Sequence, residues 1–212
     1  VHLNIIKKLF GIEGSCGYSE SELSCWVERY GAVPKALKEY YIEVGKHQGL
    51  NNAQDFLIPP SQFADYADVD AEHLIFYSEN QGVILWGIQK GNMEQDNPPV
   101  YENYGGDEWF LTAESLSAFW LSMAHLQAVL ALEYRNEECV DITGEQRMAI
   151  ANAFLSKNAD SKLYTGASFY GNDEDTVVAV MKNHESFILM YASSNERHFD
   201  ETDSKINGIL SS

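Results

Sequence analysis

No stretch of this chain approaches the roughly 18 consecutive apolar residues that a membrane-crossing helix requires, so a membrane protein is not expected. Cysteine is sparse. Cys16, Cys25 and Cys139 form an odd set with no C-x-x-C pair, which argues against a disulfide scaffold and for reduced thiols in a cytoplasmic protein. The opening VHLNIIKKLFG carries its lysines inside an amphipathic run, unlike the basic-then-apolar layout of a secretory signal. Basic residues are also scarce where acids are dense. Residues 51 to 145 hold only Lys90 and Arg135 against seventeen Asp and Glu, a net charge of -15, whereas residues 1 to 50 are balanced at six and six. Such a field excludes direct nucleic-acid and anionic-lipid binding and favours encounter with a basic protein, although acidity also serves solubility alone.

Motifs of several enzyme classes are missing too. The histidines at 2, 47, 73, 125, 184 and 198 form no H-x-x-x-H or H-E-x-x-H, so no metal ligand framework is read from spacing. DYADVDAEH, from Asp65, alternates acids but lacks the glycine and closing glutamate of a calcium loop. There is no G-x-S-x-G. Cys16 has no base near it in sequence, and LFGIEGSCG has neither dinucleotide-fingerprint spacing nor a terminal Gly-Lys-Ser/Thr. The many carboxylates make a glycosidase pair conceivable, but abundance is not placement. No catalytic residue, cofactor or metal is assigned.

What the chain does have is apolar patterning: 45% of its 212 residues are hydrophobic and 12% aromatic, enough to bury a core. Helices are expected over residues 3–10, over 19–30 with a Ser19/Glu22 capping box, and from Pro34 with Leu37, Tyr40, Tyr41 and Val44 on one face. Pro59-Pro60 ends an extended DFLI. HLIFY at 73–77 and VILW at 83–86 flank Glu79-Asn80-Gln81-Gly82 and read as an antiparallel pair. That turn is either a polar patch at the rim or only a connection. VYENY and EWFL are two more extended pieces. A long helix over about 113–134 is expected to lay Leu116, Phe119, Met123, Leu126, Leu130 and Tyr134 on the sheet. Residues 144–158 read as a helix, 176–181 and 186–192 as a second hairpin returning to the sheet, and the polar tail from Asn195 as an edge cover or a frayed end. The fold class is α+β: a curved, antiparallel-rich sheet packed by helices, in one domain over 1–212.

Glu20 and Leu23 with Tyr30-Gly31, Pro34 with ALKEYYIEVG, FLIPP, LIFYSENQGVILWGI, DNPPVY, EWF and a long helix occur in an order that resembles the SMI1/KNR4, or SUKH, superfamily. The resemblance covers residues 13–134 and leaves 135–212 as a C-terminal extension. It implies an SMI1/KNR4-like α+β fold and a non-catalytic immunity protein that binds and neutralises a cognate toxin, often a nuclease, with no cofactor. A protein-binding regulator or scaffold is the first alternative. An enzyme or small-ligand binder using a cleft between long helix and sheet is the second. The partner surface expected for a basic toxin comprises Asp65, Asp68, Asp70, Glu72, Glu79, Asp107 and Glu108 with Tyr101 and Tyr104. Glu137, Glu138 and Asp141 form a further acidic cluster.

Overall fold

A computed structural model describes residues 2–67, 69–157, 162–163 and 166–211. Four helices come first: α1 (Leu3–Leu9), α2 (Ser24–Tyr30), α3 (Lys35–Val44) and α4 (Gln48–Asn51). The Ser19/Glu22 hydrogen bonds form, with the Ser19 N–H at 2.8 Å from the Glu22 carboxylate, but they close a turn, and α2 begins later, at Ser24. α3 buries the predicted face completely, since Leu37, Tyr40, Tyr41 and Val44 have no exposed surface.

A five-stranded antiparallel sheet follows, in the spatial order β1 (Phe56–Leu57), β2 (His73–Ser78), β3 (Leu85–Gln89), β4 (Val100–Asn103) and β5 (Phe110–Ala113). A 3-10 turn, Pro60–Gln62, and α5 (Phe63–Ala67) bridge β1 and β2. The β2–β3 pair is the hairpin expected around Glu79–Gly82. Phe76, Tyr77 and Trp86 are fully buried, because this is the face the central helix covers.

That helix, α6 (Leu116–Ala131), is shorter than its apolar pattern: Thr112 and Ala113 belong to β5, and Tyr134 to β6 (Tyr134–Arg135). Ser115 caps it by accepting the Ala118 N–H. Thirteen of its sixteen residues are buried, so it is covered all round rather than along one stripe. On one side Phe119 meets Phe76, Tyr77 and Trp86 with ring centroids 5.4 to 6.0 Å apart. On another, Trp120 stacks on Tyr40 of α3 at 3.7 Å. On a third, His125 packs against Phe169 at 5.4 Å. The cleft expected between long helix and sheet is filled by these rings.

Phe169 belongs to a second sheet, and this corrects the expectation that the C-terminal strands rejoin the first. Its order is β6, β11 (Ser186–Ser193), β10 (Thr176–Asn183), β9 (Ser168–Gly171) and β8 (Leu155–Ser156), with β7 (Val140–Ile142) also on β11. Alternation explains its continuous apolar runs. Val177, Ala179, Met190 and Ala192 enter the core shared with α6, whereas Val178, Val180, Leu189 and Tyr191 enter a smaller core under α7 (Gly144–Ala153) and α8 (Glu196–Leu210). α7 starts where predicted, with a Thr143/Gln146 capping box, but ends at Ala153; residue 158, its expected end, lies outside the described residues. The tail neither frays nor remains irregular: Asn195 caps α8, which buries Thr202 and Ile206. The chain is therefore a mixed α+β fold of antiparallel sheets packed by helices, with α6 between two of them.

Candidate protein-binding face

At the centre of the first sheet an indole covers one row of β2–β4. Ile75, Gly87, Tyr101 and Leu111 are cross-strand neighbours in one row. Trp109 lies on Gly87 so closely that a Cβ there would sit 3.1 Å from the ring. The same indole stacks on His73, centroids 4.1 Å apart and 14° between planes. Its N–H donates to the Asp70 carboxylate at 2.7 Å. Asp70 also accepts the Glu72 and His73 backbone N–H groups and lies 3.2 Å from His73 Nδ1. Burial pushes the Asp70 carboxyl up, but the hydrogen bonds from Glu72, Trp109 and His73 outweigh it and hold it below the ordinary carboxylate value.

This contact joins two segments that were separate in sequence, the acidic stretch before β2 and the β4–β5 loop. Asp65 and Glu72 are exposed on the first; Asp107 and Glu108 are exposed on the second; Asp70 and Tyr101 are half-buried between them. The β4–β5 loop is internally braced. Asn103 donates to the Gly106 and Glu108 carbonyls at 2.7 and 2.9 Å and accepts the Gly105 N–H at 2.8 Å. Gly105 supplies the positive φ of 81° that the turn needs. Tyr104 is exposed, and its hydroxyl donates to Glu102 at 3.0 Å. Desolvation and that carboxylate push its phenol up to about 12. At the sheet edge Phe110 and Leu111 project on opposite faces and are 49% and 37% exposed. Lys90 and Arg29 lie nearby: the Lys90 backbone N–H donates to the Glu72 backbone carbonyl, and the Arg29 guanidinium to the Ala67 carbonyl.

One expected site residue is placed differently. Glu79 turns inward and is only 8% exposed, because its carboxylate accepts the Gln81 and Val83 N–H groups at 2.8 and 3.3 Å. It holds its own turn together, with Gly82 at φ 73°, and offers little to a partner. Asp68 lies outside the described residues. Glu137, Glu138 and Asp141 belong to the second sheet, around β6 and β7. His73, Trp109, Phe110 and Leu111 were not expected in the partner surface. Period-two alternation could have exposed the last two as neighbours on opposite faces of an edge strand.

Glu174, Asp175 and His198 bring potential metal ligands together that are far apart in sequence. Their atoms already have partners: His198 Nδ1 lies 2.8 Å from Asp175, Glu174 pairs with Lys8 at 3.1 Å, and Asp175 also engages Asn172 and Thr176. Cys16 is half-buried, with Sγ 3.7 Å from the Glu43 carbonyl; burial raises its thiol, Lys7 lowers it and Glu43 raises it, for a net upward shift away from a reactive thiolate. Among the described residues, no helix is long and apolar enough to cross a membrane. Comparison with protein-family models, curated proteins and solved structures returned no match.

Proposed function

We propose that this chain is a non-catalytic, cytoplasmic binding protein that neutralises a basic protein toxin by covering it. The observation that carries this reading is the Trp109–Asp70 bond. It sets two acidic loops at the margin of one aromatic patch, the arrangement in which charge steers encounter while a desolvated ring centre supplies binding energy. The bracing by Asn103 favours the reading further, since a loop already held in place loses little entropy on binding. That the partner is a toxin, in many cases a nuclease, rests on the resemblance to the SMI1/KNR4 superfamily. A basic nuclease attracts polyanions, and a surface dense in carboxylates can occupy the same footprint without chemistry.

The test is co-expression with a candidate toxin encoded beside this chain, reading growth rescue and direct association of the purified proteins. Rescue that is lost on replacing Trp109 by Ala, with the fold intact, supports the reading. Tight association without any rescue would instead favour a regulator or scaffold using the same face.

A further inference from the structure

The first sheet ends in β5 on one margin and in β1 on the other, and the two margins differ in chemistry. Beside β1 lies a cleft of about 470 Å³, lined from α4, β1, the Pro60–Gln62 turn and α5. That volume is within the roughly 300–1,000 Å³ typical of ligand sites. Among the described residues lining it there is no Asp, Glu, Lys, Arg or His, in a chain of which 22% is charged. Its walls are amides and rings: Gln48, Asn52, Gln62, Tyr18, Phe56 and Tyr66. Lys46 lies 4.8 Å from the Tyr18 ring centroid, but its ammonium is already paired with Glu22 at 3.1 Å.

The amides are set by their neighbours. α4 is a single turn anchored through Asn51, which accepts the Tyr40 hydroxyl at 2.9 Å and donates to the Val44 carbonyl at 2.7 Å. Gln48 and Asn52 are both exposed, and the Asn52 NH₂ donates to Gln48 Oε1 at 3.3 Å. That bond uses one donor and one acceptor and keeps the Gln48 NH₂ and the Asn52 carbonyl for a ligand. Gln62 ends the 3-10 turn that Pro59 and Pro60 stiffen. Its amide, like the Tyr18 and Tyr66 hydroxyls, makes no hydrogen bond among the described residues. Phe56 and Tyr66 are half-buried, and neither contacts another ring among the described residues.

We infer that this cleft binds a neutral glycan, as a sugar unit or short oligosaccharide. A sugar hydroxyl both donates and accepts, and so do a side-chain amide and a phenol; the Gln48–Asn52 pair offers both roles to the hydroxyls of one sugar. The Phe56 and Tyr66 rings receive the apolar C–H face of the sugar ring. Other ligand classes fit the lining less well. An ionised ligand would be desolvated there without a counter-charge. A phosphate is further opposed by the net charge of -15 carried by residues 51 to 145. A purely apolar ligand would cover the amides and phenols without giving them partners. The cleft lies on the margin opposite β5 and does not depend on the acidic face.

A printed array of neutral and charged glycans, probed with the wild type and with Gln48→Ala/Gln62→Ala, tests this. Both glutamines are exposed, and matching circular dichroism and Tm establish that the double variant is folded. The expected result is retention of neutral glycans by the wild type. In calorimetric titration the best-retained one, as a free oligosaccharide, should bind the double variant about tenfold or more weakly, as loss of hydrogen bonds to a ligand implies. In NMR spectra the same oligosaccharide should shift the Asn52 and Gln62 side-chain NH₂ signals and leave that of Asn103, in the acidic face, unmoved. The inference is overturned if no neutral glycan is retained, if charged glycans bind more tightly than every neutral one, or if the double variant binds as well as the wild type. Shifts at Asn103 in place of Asn52 and Gln62 overturn it too. So does adenosine or a blocked, uncharged tripeptide that binds the cleft more tightly than any glycan.

Discussion

The Trp109 indole N–H and the Asp70 carboxylate meet at 2.7 Å across 39 residues of sequence. The indole is also clamped between His73 and the bare backbone of Gly87. The bond ties the β4–β5 loop to the segment before β2, and the clamp fixes where the ring can lie. Together they join two acidic connections into one surface of defined shape.

Separating the two contributions gives a first prediction. Trp109→Phe keeps a ring over Gly87 but removes the donor, and should cost about 1.5–3 kcal/mol, as expected for a lost hydrogen bond to a charged group. Gly87→Val leaves the donor in place but puts carbon where the ring lies, so it should displace Trp109 and shift its fluorescence towards the red. Urea denaturation and emission spectra read the two effects. An unshifted spectrum in Gly87→Val would mean that the indole does not rest on this glycine. The bond is also pH-sensitive. Asp70 has a depressed folded pKa, so its contribution is present above the unfolded carboxylate value near 4 and is lost as pH falls further.

Two polar residues in α6, two positions apart, should respond with opposite sign. Gln127 is fully buried and fully used: its amide donates to the Asp55 carbonyl at 2.7 Å and the Tyr77 hydroxyl at 2.9 Å, and accepts the Gln54 N–H at 2.8 Å. Gln127→Leu strands those groups and should destabilise by about 2–4 kcal/mol. His125 is as deeply placed, yet neither ring nitrogen has a hydrogen-bond partner among the described residues. His125→Leu removes an unmet polar cost and should stabilise by about 1 kcal/mol at pH 7. Denaturant midpoints of the two variants decide the matter, and equal losses would show that His125 has a partner.

His125 also sets a pH dependence. Burial first, then the positive charges of Lys157 and His2, lower its pKa to about 3. The unfolded chain binds that proton near pH 6.5 and the folded chain does not, so stability is full above 6.5 and declines as pH falls toward 3. Between pH 7 and pH 5 this residue alone should account for a loss of about 2 kcal/mol. His125→Leu should flatten that part of the profile. A wild-type profile that is already flat from pH 7 to pH 5 would exclude a neutral, buried imidazole.

Much of this architecture is written locally and some of it is not. The β2–β3 hairpin is legible because apolar runs flank four turn residues, and α3 because Leu37, Tyr40, Tyr41 and Val44 recur at helical spacing. The ends of α6 are not, since Ala113 and Tyr134 continue its apolar pattern although strand pairing claims them. Val177 to Val180 announce a strand buried on both faces, but periodicity does not say which layers lie above and below it. The polar tail concealed α8, although Phe199, Thr202, Ile206 and Ile209 recur every three or four residues. Within the candidate face, the acids were visible as composition. The Asp70–Trp109 join was not, because long-range contact leaves no spacing to read.

The acidic loops make the most direct prediction about function. Asp107 and Glu108 are exposed, and the loop between β4 and β5 is braced through Asn103 rather than through their carboxylates. Reversing both to lysine should therefore change stability by less than about 0.5 kcal/mol, the usual range for surface substitutions. It changes the local charge by four units beside Glu102, Glu72 and Asp70, so a basic partner would lose its long-range attraction before it loses any contact. The expected signature is kinetic: a slower association rate, a weaker dependence of that rate on ionic strength, and convergence with the wild type at high salt, where screening shortens the reach of charge to a few ångströms. Dissociation should change less, because the exposed Tyr104 ring and the half-buried Trp109 indole are left in place by the reversal. Stopped-flow association with a candidate basic partner, measured across salt concentrations for wild type and double reversal, separates these terms. Identical rates and identical salt slopes would remove this loop from the steering surface and move the search for a partner site to Glu137, Glu138 and Asp141 on the second sheet.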